Sequence, residues 1–131
     1  MALTGGPEAE AMPVAGACLL SGVYDLEPVQ RSYVNDAVGM DVGTAHRNSP
    51  CHRLPLSTAQ VIVARGAAET DEYARQHREF AESLRSGGQR VVDLVAAGRN
   101  HFDLPFDLGR DDTPLGCAVL EQMSLDRVRR R

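Results

Sequence analysis

Two short turns carry the residues best able to do chemistry. Gly98-Arg99-Asn100-His101-Phe102-Asp103 puts a histidine just past the β-branched run Val91-Val92-Asp93-Leu94-Val95. Gly66-Ala67-Ala68-Glu69-Thr70 puts an acid just past the apolar run Val61-Ile62-Val63-Ala64. A carboxylate that accepts the proton of one imidazole nitrogen fixes the tautomer and leaves the other nitrogen to act as a general base. One strand-helix-strand unit separates Glu69 from His101. If the two strands are neighbours, their carboxyl ends lie about 5 Å apart, within side-chain reach. The same spacing also fits a surface glutamate on a turn and a histidine closing a loop. No nucleophile for the pair is visible, because neither a G-x-S-x-G elbow nor a glycine-rich oxyanion loop occurs.

The remaining reactive side chains fit blander roles. His77 lies on an apolar helical stripe and reads as a partly buried helix residue. His46, Cys51 and His52 crowd one loop and hint at zinc, yet they lack paired ligand spacing and a fourth partner, so no metal is expected. Cys18 and Cys117 sit on apolar stretches and read as packing thiols. Cys51 falls within a helical excursion, not on a strand-to-helix elbow. Gly5-Gly6 and Gly87-Gly88 are in the wrong context for phosphate cradles, and no cofactor is expected.

The elements that must position the pair follow from local pattern. Val14–Leu20 is an apolar run without alternation, as in a strand buried on both faces of a parallel sheet. From Tyr24 to Met40 the texture is helical: Pro28 suits a first turn, Tyr33, Val34, Ala37 and Val38 recur at helical spacing, and Gly39 ends the pattern. Asp41 to Arg47 reads as another short helix, stopped by Asn48-Ser49-Pro50. Residues 24–53 thus read as a cap-like insertion. After Leu54-Pro55-Leu56, a second strand spans Gln60 to Ala64. Thr70 is a plausible N-cap, Asp71 and Glu72 suit a first turn, and Tyr73, His77, Phe80 and Leu84 mark one face of a helix that Gly87-Gly88 stops. Arg90 to Val95 is the third strand. Leu104 to Asp111 reads as loop. Thr113-Pro114 opens a last helix with the stripe Leu115, Ala118, Val119, Gln122 and Met123. Strands alternating with helices imply an α/β fold with a parallel sheet and right-handed crossovers. Chemistry then belongs at the carboxyl ends of the strands, where Ser21, Glu69 and His101 fall.

The totals narrow the class. With 131 residues, 43% hydrophobic and 24% charged, the chain is long and apolar enough for one packed domain. Its net charge of -4 argues against a nucleic-acid partner held by bulk electrostatics. The basic end, Arg127-Val128-Arg129-Arg130-Arg131, reads as a solvated tail. Three cysteines without a CxxC are cytosolic usage, not a disulfide framework. No apolar run approaches the ~20 residues of a membrane span, and the start is unlike a signal peptide, so a cytoplasmic protein with no membrane partner is expected.

Several separated motifs in order resemble the α/β-hydrolase family that includes kynurenine formamidase (arylformamidase) and related bacterial esterases. Leu19-Leu20-Ser21-Gly22-Val23-Tyr24-Asp25-Leu26-Glu27-Pro28 is similar to that family's strand and the start of its cap, and Asn48-Ser49-Pro50 to the end of the cap. Gly66 through Gln76 resembles the acid turn and following helix, and Gly98 through Phe102 the histidine turn. The match runs from about Val14 to Met123. It implies that Glu69 is the triad acid, in place of the aspartate of many relatives, and His101 the triad base. By position, Tyr24, Asn100 and Phe102 flank the site and are expected to line it.

The resemblance covers the C-terminal half of such an enzyme, one partial domain over residues 1–131. Family members carry the oxyanion loop and serine elbow earlier, and Met1-Ala2-Leu3-Thr4 resembles the tail of the helix after that serine. A truncated gene, a mis-called start and a split product all fit. Without further strands, Val14–Leu20 becomes an apolar edge open to pairing. The expected substrate is a small molecule, an aryl formamide such as N-formylkynurenine or a small carboxylic ester. A homo-oligomer or a complementing N-terminal half is the protein partner this reading leaves open. The alternative is a non-catalytic remnant.

Overall fold

A computed structural model describes residues 14–54 and 59–124. The helix tail expected at Met1-Ala2-Leu3-Thr4, the lead-in expected at Pro55-Leu56 and the tail expected at the basic end, residues 127–131, lie outside the described residues. Three parallel strands form one sheet in the order β1 (Gly16–Leu20), β2 (Gln60–Gly66), β3 (Val91–Ala96). Each lies within two residues of its expected place. β2 and β3 run further than the apolar pattern suggests, because Arg65 pairs with Val95 and Gly66 with Ala96 up to the start of the two chemical turns.

β2 is the middle strand, and burial on both faces explains its lack of alternation. Val61 and Val63 pack on one side with Tyr24, Phe80, Ala81 and Leu84, while Ile62 and Ala64 pack on the other with Ala96, Leu104 and Leu115. The first cluster is covered by the 16-residue helix Asp71–Ser86, the second by the helix Pro114–Gln122. Thr70 occupies the N-cap of the long helix, but its side chain makes no capping bond; Asp71 and Glu72 in the first turn supply the favourable charge instead. Thr113 does cap its helix, accepting from the Gly116 N–H at 3.1 Å. Leu104–Asp107, expected as loop, winds into a 3₁₀ turn with Leu104 wholly buried. Cys117 departs from expectation. It is exposed and donates its thiol to the Asp111 carbonyl, since the buried stripe of its helix passes through Leu115 and Ala118.

Between β1 and β2 the chain makes three short helices, α1 (Glu27–Gln30), α2 (Asn35–Val38) and α3 (Val42–Asn48). We number the two longer helices α4 (Asp71–Ser86) and α5 (Pro114–Gln122). Helical spacing over 24–40 is not realised as one helix. The Ser32 hydroxyl donates to the Val29 carbonyl and accepts from the Val34 N–H, which turns the chain and leaves Tyr33 85% exposed. The excursion is pinned at both ends. Buried Gln76 on α4 accepts from the N–H groups of Tyr24 and Asp25 and donates to the Asp25 carbonyl. Ser49 accepts from the Leu26 N–H and donates to the Ala45 carbonyl.

Gly66 ends β2 where a side chain would overlap the carbonyl of Arg99 in the neighbouring turn. That close approach holds the two turns together. Gly66→Ala is expected to lower stability by about 1–3 kcal/mol, as overpacking does, read as a fall in the urea midpoint with an unchanged slope.

Candidate active site

The site is assembled from the ends of the three strands. After β2, the Ala67 N–H donates to the Ala96 carbonyl at 2.9 Å and the Ala68 N–H to the Arg99 carbonyl at 3.0 Å, so the acid turn is stitched onto the turn that follows β3. That second turn bends at Gly98, whose φ is 71°. Asn100 then shapes it: its Oδ1 accepts from the N–H groups of Phe102 and Asp103, and the Asp103 carboxylate accepts from the Asn100 N–H. Arg99 anchors the segment through an ion pair with the buried Asp107 at 2.8 Å. The result is a short, internally hydrogen-bonded loop that carries His101.

Glu69 and His101 meet directly. Glu69 Oε1 lies 2.9 Å from His101 Nδ1. The other oxygen, Oε2, accepts from the Gly66 N–H at 2.6 Å and from the Ser21 hydroxyl at 2.7 Å. The Glu69 side chain is 1% exposed and that of His101 42%. Burial alone would push the Glu69 carboxyl up. The bonds from Ser21, Gly66 and His101, with the charge of the imidazole, outweigh it and hold the group below its ordinary 4.5. An ionised Glu69 makes Nδ1 the donor and leaves Nε2 as an acceptor. Two rings flank the imidazole. Tyr73, in the first turn of α4, stands 5.0 Å away by centroid, and Phe102 meets it edge-on at 5.4 Å.

The other expected site residues divide. Phe102 is beside His101 and 83% exposed. Asn100 is adjacent in the chain, but its side-chain oxygen is spent on the turn's own backbone. Tyr24, expected to line the site, is instead in the core. Its ring stacks on Phe80 with centroids 3.9 Å apart, and burial, eased by the Gly22 backbone beside it, pushes its phenol up to about 12. A side chain at Gly22 would overlap the Tyr24 ring, so the glycine leaves the space the buried ring occupies. Ser21, expected at a strand end beside Glu69 and His101, does join the site by bonding the acid, and Gly66 and Tyr73 join it without being marked out by spacing. The signals in the sequence are a serine closing an apolar run and an aromatic one helical turn past the acid. Ser21 bonds the acid rather than Nε2, so it does not stand where a nucleophile would.

His46 and His52 stack with centroids 4.0 Å apart, but no group of three potential metal ligands converges among the described residues. His77, expected to be partly buried, is buried on α4 and bonds Asp93 of β3 at 2.6 Å. Among the described residues no helix is long and apolar enough to cross a membrane.

Comparison with known proteins gives this arrangement a context. The chain is 33% identical over 96 residues to a kynurenine formamidase of Danio rerio, and 30% identical over 116 residues to one of Salmo salar. These alignments cover 70% and 84% of the chain but 33% and 40% of the relatives. Among solved structures, a candidate thioesterase of Silicibacter sp. tm1040 superposes with a TM-score of 0.69 at 25% identity, over 85% of this chain and 40% of that one. This is the C-terminal half of an α/β-hydrolase fold, similar in sequence to kynurenine formamidases. No protein-family model matches the chain. The chain spans well under half the length of the relatives it matches.

The lowered Glu69 carboxyl has a pH consequence. A group that titrates lower in the folded chain contributes stability that is present above its unfolded value and lost as pH falls through the folded one. Wild-type stability is therefore expected to fall on acidification below about 4.5 more steeply than that of Glu69→Gln. At neutral pH the variant is expected to be about 1–2 kcal/mol less stable, with the difference shrinking in acid. Urea unfolding across the acid range checks this, and parallel curves would contradict it.

Proposed function

We propose that Glu69 and His101 are the acid and base of a serine-hydrolase triad, and that the intact enzyme hydrolyses an aryl formamide of the N-formylkynurenine kind or a small carboxylic ester. The observation that carries this reading is the 2.9 Å contact between Glu69 Oε1 and His101 Nδ1, with the acid buried and the imidazole exposed. The formamidase names of two relatives favour the formamide. That substrate belongs to tryptophan breakdown. Three free thiols fit a cytoplasmic setting.

The proposed steps follow from the proton positions. A serine from the length that this chain does not span attacks the formyl or acyl carbon while His101 Nε2 takes its proton. Glu69 stabilises the imidazolium through Nδ1–H. His101 then returns the proton to the departing amine or alcohol, which leaves an acyl-serine. Water attacks that ester with His101 again as base, releasing formate or another acid. Backbone donors supplied with the serine would hold the oxyanion. In this reading residues 24–53 are the cap over the substrate, with Phe102 at its rim. A second reading, of a remnant or a split half that needs a partner chain carrying the serine, rests on the short span against the relatives.

The 131-residue chain alone is expected to show no turnover of N-formylkynurenine or a p-nitrophenyl ester above background. Extended by any in-frame upstream sequence encoding the oxyanion loop and G-x-S-x-G, it should turn over, with His101→Ala lowering kcat/KM by about 10³-fold or more. Turnover by the extended protein that survives His101→Ala would overturn the assignment.

A further inference from the structure

Ser21 has no assigned role, yet its geometry is unusual in two independent ways. Its backbone N–H completes the β1–β2 ladder by donating to the Ala64 carbonyl at 2.8 Å. Immediately there the chain turns left-handed, with φ at 45°. A side chain in that region costs the backbone energy that glycine would avoid, and the next residue is a glycine. By strand alternation, residue 21 would otherwise follow Leu19 toward the α4 face of the sheet. The left-handed turn ends that alternation at the carboxyl edge, where the hydroxyl reaches Glu69 Oε2 at 2.7 Å. The strain is thus spent on one hydrogen bond.

We propose that Ser21 is a positioning residue for the Glu69–His101 pair: its hydroxyl, with the Gly66 N–H, holds the far oxygen of the carboxylate so that the near oxygen stays on His101 Nδ1. The inference rests on the hydrolase reading for its functional meaning, but its geometry does not. A carboxylate has room to swing about its last torsion. Two donors on Oε2, one from β2 and one from the end of β1, leave a single orientation in which Oε1 faces the imidazole. Both donors favour the charged acid, so the orientation and the ionisation of Glu69 are set together. Ser21 also links the strand farthest from β3 to the pair. The acid is therefore gripped by β1, by β2 and, through His101, by the turn after β3.

The test is a four-protein series in the 131-residue chain: wild type, Ser21→Ala, Ser21→Gly and Ser21→Thr. The Glu69 carboxyl is followed by carbon-13 titration and stability by urea. Ser21→Ala and Ser21→Gly are expected to raise the Glu69 midpoint to the same extent, because both remove the same donor. Ser21→Gly should exceed Ser21→Ala in the folded-to-unfolded ratio by roughly fivefold, because glycine relieves the left-handed strain. Ser21→Thr should keep the Glu69 midpoint near wild type while losing stability, since a β-branched residue is strained there. A Glu69 midpoint unmoved in both Ala and Gly variants, or one that tracks stability across the series, would overturn the proposal. If the Ala variant does not fold, the Gly variant carries the test. Failure here leaves the His101→Ala turnover experiment to judge the hydrolase reading separately.

Discussion

A carboxylate that is 1% exposed can stay charged only if its lone pairs are met by donors. Glu69 meets that condition with a backbone N–H, a hydroxyl and an imidazole, and each comes from a different segment of the chain. Much of the fold can be read as what is needed to bring those three donors to one point. Remove the alignment of the strands and the acid becomes a buried, unpaired charge, which is among the costliest defects a small domain can carry.

That alignment comes from parallel pairing. Because β1, β2 and β3 run the same way, their carboxyl ends open on one edge of the sheet, and the pairing of Gly66 with Ala96 brings the acid turn and the histidine turn level. Antiparallel pairing would have sent one of those turns to the opposite edge. The helices α4 and α5 make the parallel arrangement stable by burying the middle strand on both faces. The same α4 begins just after Glu69 and places Tyr73 beside the imidazole. Scaffold and site are therefore coupled through one helix: its apolar face holds the sheet, and its first turn walls the histidine.

How much of this is legible in the sequence depends on periodicity. β2 and α4 can be read directly, because a short unbroken apolar run between turn residues suits a buried strand and a stripe at steps of three and four suits a helix. The Glu69–His101 pair is legible because neighbouring parallel strands convert chain order into spatial adjacency. Tyr24 misleads for a physical reason. Its position just past a strand end suggests the site, but the ring fills the space that Gly22 leaves and stacks on Phe80 in the core. The break between α1 and α2 is hard to foresee because a single serine hydroxyl bonding nearby backbone outcompetes a helical pattern. The roles of Ser21 and Gly66 are hidden because they depend on the sign of one φ and on a backbone N–H, neither of which residue type alone reveals. For Cys117 the apolar neighbours in sequence suggest burial, whereas the face of α5 decides its exposure.

The central claim is that Glu69 fixes His101 with its proton on Nδ1 and its lone pair on Nε2. Nitrogen-15 spectra of the histidine side chains at mildly alkaline pH measure this directly. A neutral His101 held as described shows a protonated Nδ1, with its proton shifted downfield, and an unprotonated Nε2; in Glu69→Gln the preference is lost. An Nε2–H tautomer at His101 in the wild-type chain, or an Nδ1–H signal indifferent to Glu69, would contradict the account.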